Sequence, residues 1–307
     1  YWEGAPKIQK LNVRTITDAN ALQAEFQSGR VDIAPNPTNF SSDTYNSVKL
    51  NPNLQLVQSD GSNVRYIGFN VSTKPVDNVK FRQAVAYAID REKIIRELLG
   101  GQAKVAHSIL PEGSWAYNAG TKYTYDPARA RQLVQESGYA GEPVKFKIAG
   151  GNNAISQYAQ VVQNSLKEVG INAEIEPLDL NTLLAQLGQG QYQMTTSQWV
   201  GGNQDPIFLR DLFDSAEFPD KKPNGRNRSR YANAEFDRLV REAVDTTDKT
   251  KAAELYAKAQ QIISDELPYV TLWYPSNMVV ASKRVGNIKI NASGDWSFVK
   301  DLTLENK

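Results

Sequence analysis

Strand-like and helix-like segments alternate between residues 126 and 199, and this alternation restricts the fold more than any other feature of the sequence. Asp126-Pro127 has the pattern of an N-cap followed by proline at the first helical position, and Gly138 ends that helix. Strands alternating with helices favour a mostly parallel sheet with helices on its faces, so we predict an α/β fold. The predicted segments are a strand at 144–148, a helix at 153–169, a strand at 171–175, a helix at 179–187 and a strand at 192–199.

The N-terminal region has a similar but weaker pattern. Residues 8–16 alternate imperfectly and predict a strand, a helix follows from Asp18 to Gly29, and residues 31–33 predict a second strand. This order predicts a βαβ unit with a parallel strand pair. Further predicted elements are strands at 54–57 and 64–71, a helix at 78–99, helices at 234–244 and 249–263, and a strand-like stretch at 269–282.

The order of elements indicates two α/β lobes. We expect residues 1–106 and 270–307 to form the first lobe and residues 107–269 to form the second. The chain would then pass between the lobes in two strand-like segments, which is the arrangement of a hinge that closes around a ligand.

Composition excludes several classes of function. The chain has 307 residues, with 35 Lys and Arg against 34 Asp and Glu, so it has no basic excess for binding nucleic acid. It contains no cysteine and a single histidine, His107, which excludes thiol nucleophiles and metal sites built from several histidines. Since the common catalytic and nucleotide-binding motifs are also missing, we expect no enzyme activity, no catalytic residues, no cofactor and no metal.

Several collinear motifs resemble family 5 solute-binding proteins, which are the dipeptide-, oligopeptide- and nickel-type binding components of ABC importers. The main motifs are NVRYIGFN at 63–70, KPVDN at 74–78 and FRQA at 81–84, followed by YAIDR at 87–91. Matching pieces also occur at Tyr1-Trp2 with Gly4, SGRVDI at 28–33, ILP at 109–111, YDP at 125–127, Trp199 with Asp205-Pro206, and Tyr231 with EFD at 235–237.

The resemblance implies a two-lobed, periplasmic-binding-protein-like fold with a two-strand hinge. Family members have many more residues before the Tyr-Trp motif, so the resemblance also implies an N-terminally truncated fragment that lacks part of the first lobe. It implies a protein, expected to be a monomer, that is exported to the periplasm or cell exterior. Such a protein captures a small-molecule ligand and delivers it to an ABC permease. The ligand, and whether the parent is soluble or a lipoprotein, stay open.

The segment that follows the strand ending at Trp199 is the first candidate ligand-binding region, because crevices form beyond the carboxyl ends of strands. The candidates are Trp199, Gly201, Gly202, Asn203 and Asp205. Trp199 is either a stacking platform or core packing, and Asp205 is either a ligand contact or an N-cap before Pro206. In peptide-binding members, an aspartate at the position of Gly202 pairs with the peptide amino group, and this sequence lacks that carboxylate.

Three further candidates are Asn63, Trp115 and Asn152. The resemblance places Asn63 where the first lobe faces its ligand, and Trp115 belongs to an aromatic loop after the expected hinge. Asn152 either lies beside backbone N–H groups that could receive an anion or caps the following helix. Some peptide-binding relatives carry an arginine for the ligand carboxylate in this region, but residues 150–166 contain none. An oligosaccharide, or a longer peptide held by its backbone, is therefore as plausible a ligand as a dipeptide.

Two alternatives from other classes stay open. A carboxylate glycoside hydrolase would use Asp205 with Asp211 or Asp214. A non-transport relative, sensory or chaperone-like, would bind a protein partner instead of a small ligand.

Overall fold

The computed structural model describes residues 4–37, 40–199 and 205–305, and it contains two main sheets with helices packed against them. The helices are α1 Ala19–Gln27, α2 Ser42–Leu50, α3 Val79–Ala88, α4 Arg91–Lys93, α5 Pro127–Glu136, α6 Asn153–Glu168, α7 Leu180–Gln189, α8 Phe208–Phe213, α9 Ala234–Asp245 and α10 Lys249–Glu266. The strands are β1 Ile33–Pro35, β2 Leu54–Ser59, β3 Val64–Phe69, β4 Ala103–Val105, β5 Val144–Ala149, β6 Ala173–Leu178, β7 Met194–Trp199, β8 Tyr269–Pro275, β9 Asn277–Ser282, β10 Val285–Gly286 and β11 Thr303–Leu304.

The larger sheet is mixed and has the strand order β4-β8-β3-β7-β5-β6. Its parallel pairs are β5 with β6 and β5 with β7, whereas β3 is antiparallel to both β7 and β8. The predicted alternation of strands and helices over β5, α6, β6, α7 and β7 is confirmed, because helical crossovers join strands that run the same way. The α/β class with mixed sheets is therefore confirmed, but the larger sheet is not mostly parallel, because β3 with β7, β3 with β8 and β4 with β8 are antiparallel pairs.

Helices cover both faces of this larger sheet. On one face, α3, α5 and α6 contribute Phe81, Leu133 and Val162 to a core with Phe69 of β3 and Phe146 of β5. On the other face, α8, α9 and α10 bury a second cluster against Val64 and Tyr66, and its helical members include Phe213, Phe236, Val240 and Ala259. The sheet is thus a central layer between two helical layers.

The smaller sheet has the order β1-β9-β2 and is antiparallel throughout. The predicted βαβ unit at residues 8–33 is wrong, because residues 8–16 form no strand and β1 pairs with β9 from the C-terminal part of the chain. Leu11 and Val13 are 51% and 68% exposed. With these side chains in solvent, the segment buries no apolar face that would fix a strand register.

The predicted helix at 78–99 is interrupted. The α-helix α3 ends at Ala88, and Asp90 then caps α4 by accepting a hydrogen bond from the Lys93 amide at 2.8 Å. A π-helical turn, Ile94–Leu98, follows. The apolar periodicity continues across the break, which explains why the sequence pattern predicts one helix.

The two sheets divide the chain near residues 60 and 276, whereas the sequence placed the boundaries near 106 and 270. The strands β3 and β4, expected in the first lobe, pair with β7 and β8 in the larger sheet. The tail joins the smaller sheet from Asn277, not from Val270. We propose this division as the lobe boundary: the small lobe comprises residues up to 59 and from 277 onward, and the large lobe comprises 64–275.

The two segments that join the lobes lie against each other. A Cβ atom added to Gly61 would lie 2.0 Å from the carbonyl oxygen of Pro275, so only glycine fits there without a backbone shift. The Gln58 amide donates to Ser276 Oγ at 3.0 Å, and Lys104 forms an ion pair with Asp60 at 2.6 Å. The close approach of Gly61 therefore sets the geometry of the connection.

We predict that Gly61→Ala lowers the free energy of unfolding by about 1–3 kcal/mol, because the added methyl meets backbone and not a flexible side chain. Urea denaturation measures this change. Gly188→Ala is the matched control, since this glycine lies within α7 with nothing within 4 Å of an added Cβ. It should be neutral or stabilising. Equal stability of Gly61→Ala and the unsubstituted protein would contradict the close approach.

Two buried arginines hold α3 and the following turn against β8. Arg82 donates to the carbonyl oxygens of Val76 and Asp77 at 2.9 Å each and to that of Leu267 at 3.0 Å. Arg91 donates to the carbonyl oxygen of Thr271 at 3.0 Å and also to those of Ala106 and Tyr123. Burial lowers the pKa of both arginines to about 10 because desolvation penalises the charged form. Carbonyl groups thus compensate both charges in the core.

We predict that Arg82→Lys lowers the free energy of unfolding by about 1–3 kcal/mol, since an ammonium cannot reach carbonyls on both sides and leaves acceptors unpaired. Chemical denaturation provides the measurement. Arg131→Lys is the control, because Arg131 is exposed on α5 and donates to one carbonyl. If both substitutions have the same small effect, the carbonyl network does not hold the fold.

Candidate functional site

The candidate site is the edge of the larger sheet where β3 begins and β5 and β7 end. In the antiparallel pair of β3 and β7, Val64 lies opposite Trp199, and β5 runs parallel to β7. The carboxyl ends of β5 and β7 therefore meet the start of β3, beside the segments that lead to the small lobe. We call residues 63–65, 149–152 and 198–199 the crevice edge. Sheet edges of this kind form ligand crevices.

Trp199 is half-buried at the end of β7. Its ring makes an edge contact with Phe208 at 5.0 Å between centroids, and the Arg226 guanidinium lies 5.5 Å from the ring centre. Its indole Nε1 is buried and has no hydrogen-bond partner within the described part of the chain. Trp199 thus packs against α8 and also keeps a donor that a ligand group could satisfy.

Asp205 caps the turn that leads into α8, whose own N-cap residue is Ile207. Its Oδ1 accepts a hydrogen bond from the Ile207 amide at 2.9 Å, and the carbonyl of Pro206 accepts from Leu209 at 3.0 Å at the start of α8. Gly201, Gly202 and Asn203 lie outside the described residues. Asp205 therefore caps this turn and not α8 itself, and direct ligand contact by these four residues stays a prediction.

Asn63 and Asn152 both lie at the crevice edge. The Asn63 Oδ1 is buried without a hydrogen-bond partner among the residues that the structure describes. Asn152 is exposed, and its Oδ1 accepts from the Ile155 amide at 3.1 Å, so it caps α6. Asn63 directly precedes Val64, which pairs with Trp199 in the larger sheet, and its predicted ligand contact from the first lobe stays a prediction.

Trp115 contacts α10. It is 44% exposed, its ring lies 5.9 Å from that of Tyr256, and Lys249 Nζ lies 5.2 Å from its centre. These contacts are with the helix and not with the crevice edge. A ligand-binding role for Trp115 stays a prediction, and the packing of Trp115 against α10 gives that prediction no support.

Sequence reasoning missed Arg65, which the structure places at the crevice edge. Arg65 is half-buried, lies opposite Gln198 in β7, and donates from Nη2 to Gln198 Oε1 at 2.7 Å. Its guanidinium lies 5.7 Å from the centre of the Tyr158 ring. The signal that could have identified Arg65 was its position within a strand whose other residues are mostly apolar.

The carboxylates proposed for a glycoside hydrolase are engaged in ion pairs. Asp214 is 2% exposed and accepts hydrogen bonds from two nitrogens of Arg241 at 2.6 and 2.7 Å. Burial alone would raise the pKa of Asp214, but the hydrogen bonds from Arg241 and the Ala216 amide, together with the charges of Arg241 and Arg210, outweigh it and the net pKa is lowered. Asp211 pairs with Arg210 and Arg226. A general acid needs a raised pKa, so Asp214 does not suit that role as a partner of Asp205.

Within the described ranges, no three His, Cys, Asp or Glu side chains are grouped so that they could hold a metal ion. Nor does that part of the chain contain a helix with the length and apolar character needed to cross a membrane.

His107 lines a cavity of about 30 Å³ with Arg91, Gln260 and Tyr269, and its Nδ1 has no hydrogen-bond partner among the residues that the structure describes. The space suits a water molecule.

We predict that His107 reduces stability in mild acid. Burial, with added repulsion from Arg91 and Lys122, lowers the pKa of His107 from 6.5 to about 4. Between these pH values the unfolded chain binds a proton that the folded chain excludes, so stability falls as the pH decreases from 6.5 to 4. His107→Gln should lose less stability over this window.

Urea unfolding at about pH 7 and about pH 5 measures this difference. The carboxyl groups titrate in both proteins, so the comparison between them isolates the imidazole. Equal losses of stability in the two proteins would show that His107 takes up a proton as readily in the folded state as in the unfolded state.

Two sheets are joined by two adjacent chain crossings, and the carboxyl ends of β5 and β7 lie beside these crossings. This arrangement defines a two-lobed binding-protein fold. Residues 1–220 match the profile of bacterial extracellular solute-binding proteins, family 5 (Middle), and the chain belongs to this family. It is 30% identical over 297 residues to heme-binding protein A of Haemophilus influenzae, covering 93% of this chain and 52% of that protein. It is 28% identical over 317 residues to the dipeptide-binding protein of Escherichia coli, covering 99% of this chain and 57% of that protein.

A solved relative shows the same architecture. The periplasmic binding protein DppA from Helicobacter pylori, in complex with the peptide STSA, superposes with a TM-score of 0.81 and 26% identity over 95% of this chain and 56% of that one. This chain thus spans between 52% and 57% of the length of the three relatives. The resemblance seen in the sequence and the periplasmic-binding-protein-like fold are confirmed.

Proposed function

We propose that this chain belongs to the solute-binding component of an ABC importer that captures a peptide-like ligand and delivers it to the permease. The observation that carries the proposal is the crevice edge itself. Asn63, Arg65 and Trp199 lie together beside the two crossings that connect the lobes. The E. coli relative is named for dipeptides and the H. pylori relative holds a peptide, which favours this ligand class. Export to the periplasm or cell exterior is part of the proposal.

The mechanism follows from the connection between the lobes. With two adjacent crossings, the small lobe can swing about the segments at 60–63 and 276 without breaking either sheet. A ligand that contacts both lobes stabilises the closed form in proportion to its differential affinity for that form. The permease would recognise the closed, loaded form.

The ligand class is peptide-like and not oligosaccharide, because the relatives described above are named for peptides or heme and none for a sugar. Gly202 lacks the carboxylate that pairs with a peptide amino group in other members, and Asp205 already accepts a hydrogen bond from the Ile207 amide in the turn before α8. We therefore propose that backbone hydrogen bonds and a carboxylate contact hold the peptide.

We predict that peptides, and not sugars, stabilise the full natural chain against heat. A thermal-shift screen would compare di- to pentapeptides, oligosaccharides, nickel chelates and heme. At a hundred times Kd, a ligand stabilises the folded state by about 2.7 kcal/mol, which gives a clear rise in melting temperature. A rise with sugars alone, or with no peptide, would contradict the proposal.

Paired tryptophan variants locate the site. Trp199→Ala should weaken peptide binding by about tenfold, since aromatic groups in binding crevices carry much of the affinity. Trp296→Ala is the matched control, because Trp296 is 51% exposed in the 3-10 turn Trp296–Asp301 and is not one of the residues that define the crevice edge. Melting temperatures of both variants show whether a loss of binding reflects unfolding.

A further inference from the structure

Arg65 is a half-buried cation without an acidic partner. Its guanidinium contacts the Gln198 side chain and the Tyr158 ring, both neutral. No Asp or Glu lies within ion-pair distance of it in residues 4–37, 40–199 and 205–305. A guanidinium has five N–H donors, and Gln198 occupies one of them. Most of its hydrogen-bonding capacity is therefore available at the crevice edge.

The buried Arg82 and Arg91 and the exposed Arg241 show how guanidinium groups are paired elsewhere in this protein. Arg82 and Arg91 each donate to three or more backbone carbonyls. Arg241 donates to both oxygens of Asp214. Partial burial of a charge costs free energy unless hydrogen bonds or an opposite charge compensate it. Arg65 has the Gln198 oxygen and the Tyr158 side chain as neutral partners but no opposite charge among the described residues, which points to an anionic partner outside this chain.

Rigid neighbours hold Arg65 in place. Tyr158 is buried, its hydroxyl lies 3.1 Å from Thr196 Oγ1, and its ring makes an edge contact with Trp273 at 5.3 Å. Arg65 belongs to β3, which is hydrogen-bonded on both sides. A cation positioned by packed groups loses little conformational entropy when it binds, so its interaction contributes more fully to affinity.

The surroundings favour an anion. The helix α6 begins at Asn153, just after β5 ends at the crevice edge, and its 16 residues direct the positive end of the helix dipole toward this edge. The planar fork of an arginine matches the two oxygens of a carboxylate. Residues 150–166 contain no arginine, so Arg65 offers an alternative cation from a neighbouring strand.

We propose that Arg65 binds a carboxylate of the peptide ligand and thereby selects peptides that carry a free C-terminus or an acidic side chain. This inference rests on the function proposed above. Gln198 and Tyr158 are positioning residues: they orient the guanidinium and leave its remaining N–H groups directed to the ligand.

Isothermal titration calorimetry on the full natural chain tests the proposal with three probes: Ala-Ala-Ala, its C-terminal amide, and Ala-Glu-Ala amide. We expect at least one carboxylate-bearing probe to bind about 10- to 100-fold more tightly than Ala-Ala-Ala amide, as charge-assisted hydrogen bonds predict. Preference for Ala-Ala-Ala identifies the terminal carboxylate, and preference for Ala-Glu-Ala amide identifies a side-chain carboxylate.

Variants assign the preference to Arg65. Arg65→Gln should remove it, with little effect on binding of Ala-Ala-Ala amide, and Arg65→Lys should keep part of it because the charge remains without the planar fork. Arg131→Gln on the exposed face of α5 is the control and should bind like the unsubstituted chain. Far-UV circular dichroism and melting temperature establish that each variant is folded.

The outcomes separate the two claims. Equal binding of all three probes, or an unchanged preference in folded Arg65→Gln, overturns the assignment of Arg65 but leaves peptide binding intact. Binding of none of the three probes overturns the assignment. If the wider thermal-shift screen also finds no peptide, the proposed function fails with it.

Discussion

The antiparallel pairing of β3 with both β7 and β8 is the constraint on which the rest of the structure depends. It joins a strand near the N-terminus to strands that lie more than a hundred residues further along the chain. It fixes the lobe boundary, because everything paired with β3 belongs to the large lobe. It also forms the crevice edge, since the start of β3 meets the end of β7 where the chain leaves for the small lobe.

Sequence patterns predicted local structure well and sheet partners poorly. The strands and helices from β5 to β7 were predicted because each is an uninterrupted run with a single periodicity. The stretch at 269–282 predicted one strand-like segment, yet the structure divides it at Ser276 into β8 and β9, which enter different sheets. Pairing between distant strands leaves no local periodic signal, so the boundaries at 106 and 270 followed chain order instead of sheet membership.

Only part of the candidate site was predicted, because contacts between distant strands leave no local signal in the sequence. Trp199 and Asn63 were selected from the position of a strand end and from the family resemblance, and β3–β7 pairing brings them to one edge. Asn152 caps α6 and Asp205 caps the turn before α8, while ligand contact by either residue stays a prediction. Arg65 was missed because an arginine in an alternating strand usually faces solvent. Only the packing of Tyr158 from α6 shows that this one is half-buried.

The central claim is that the lobes divide at 60–63 and 276, and pulsed electron-electron spin-resonance distances test it most directly. The chain contains no cysteine, so single pairs can be introduced at exposed positions: Leu50 on the small lobe, Leu180 on α7, and Lys80 on α3. On binding a peptide, the Leu50–Lys80 distance should change while the Lys80–Leu180 distance stays constant, because α3 moves with the large lobe. A changed Lys80–Leu180 distance with a constant Leu50–Lys80 distance would contradict the account and place the boundary near residue 106.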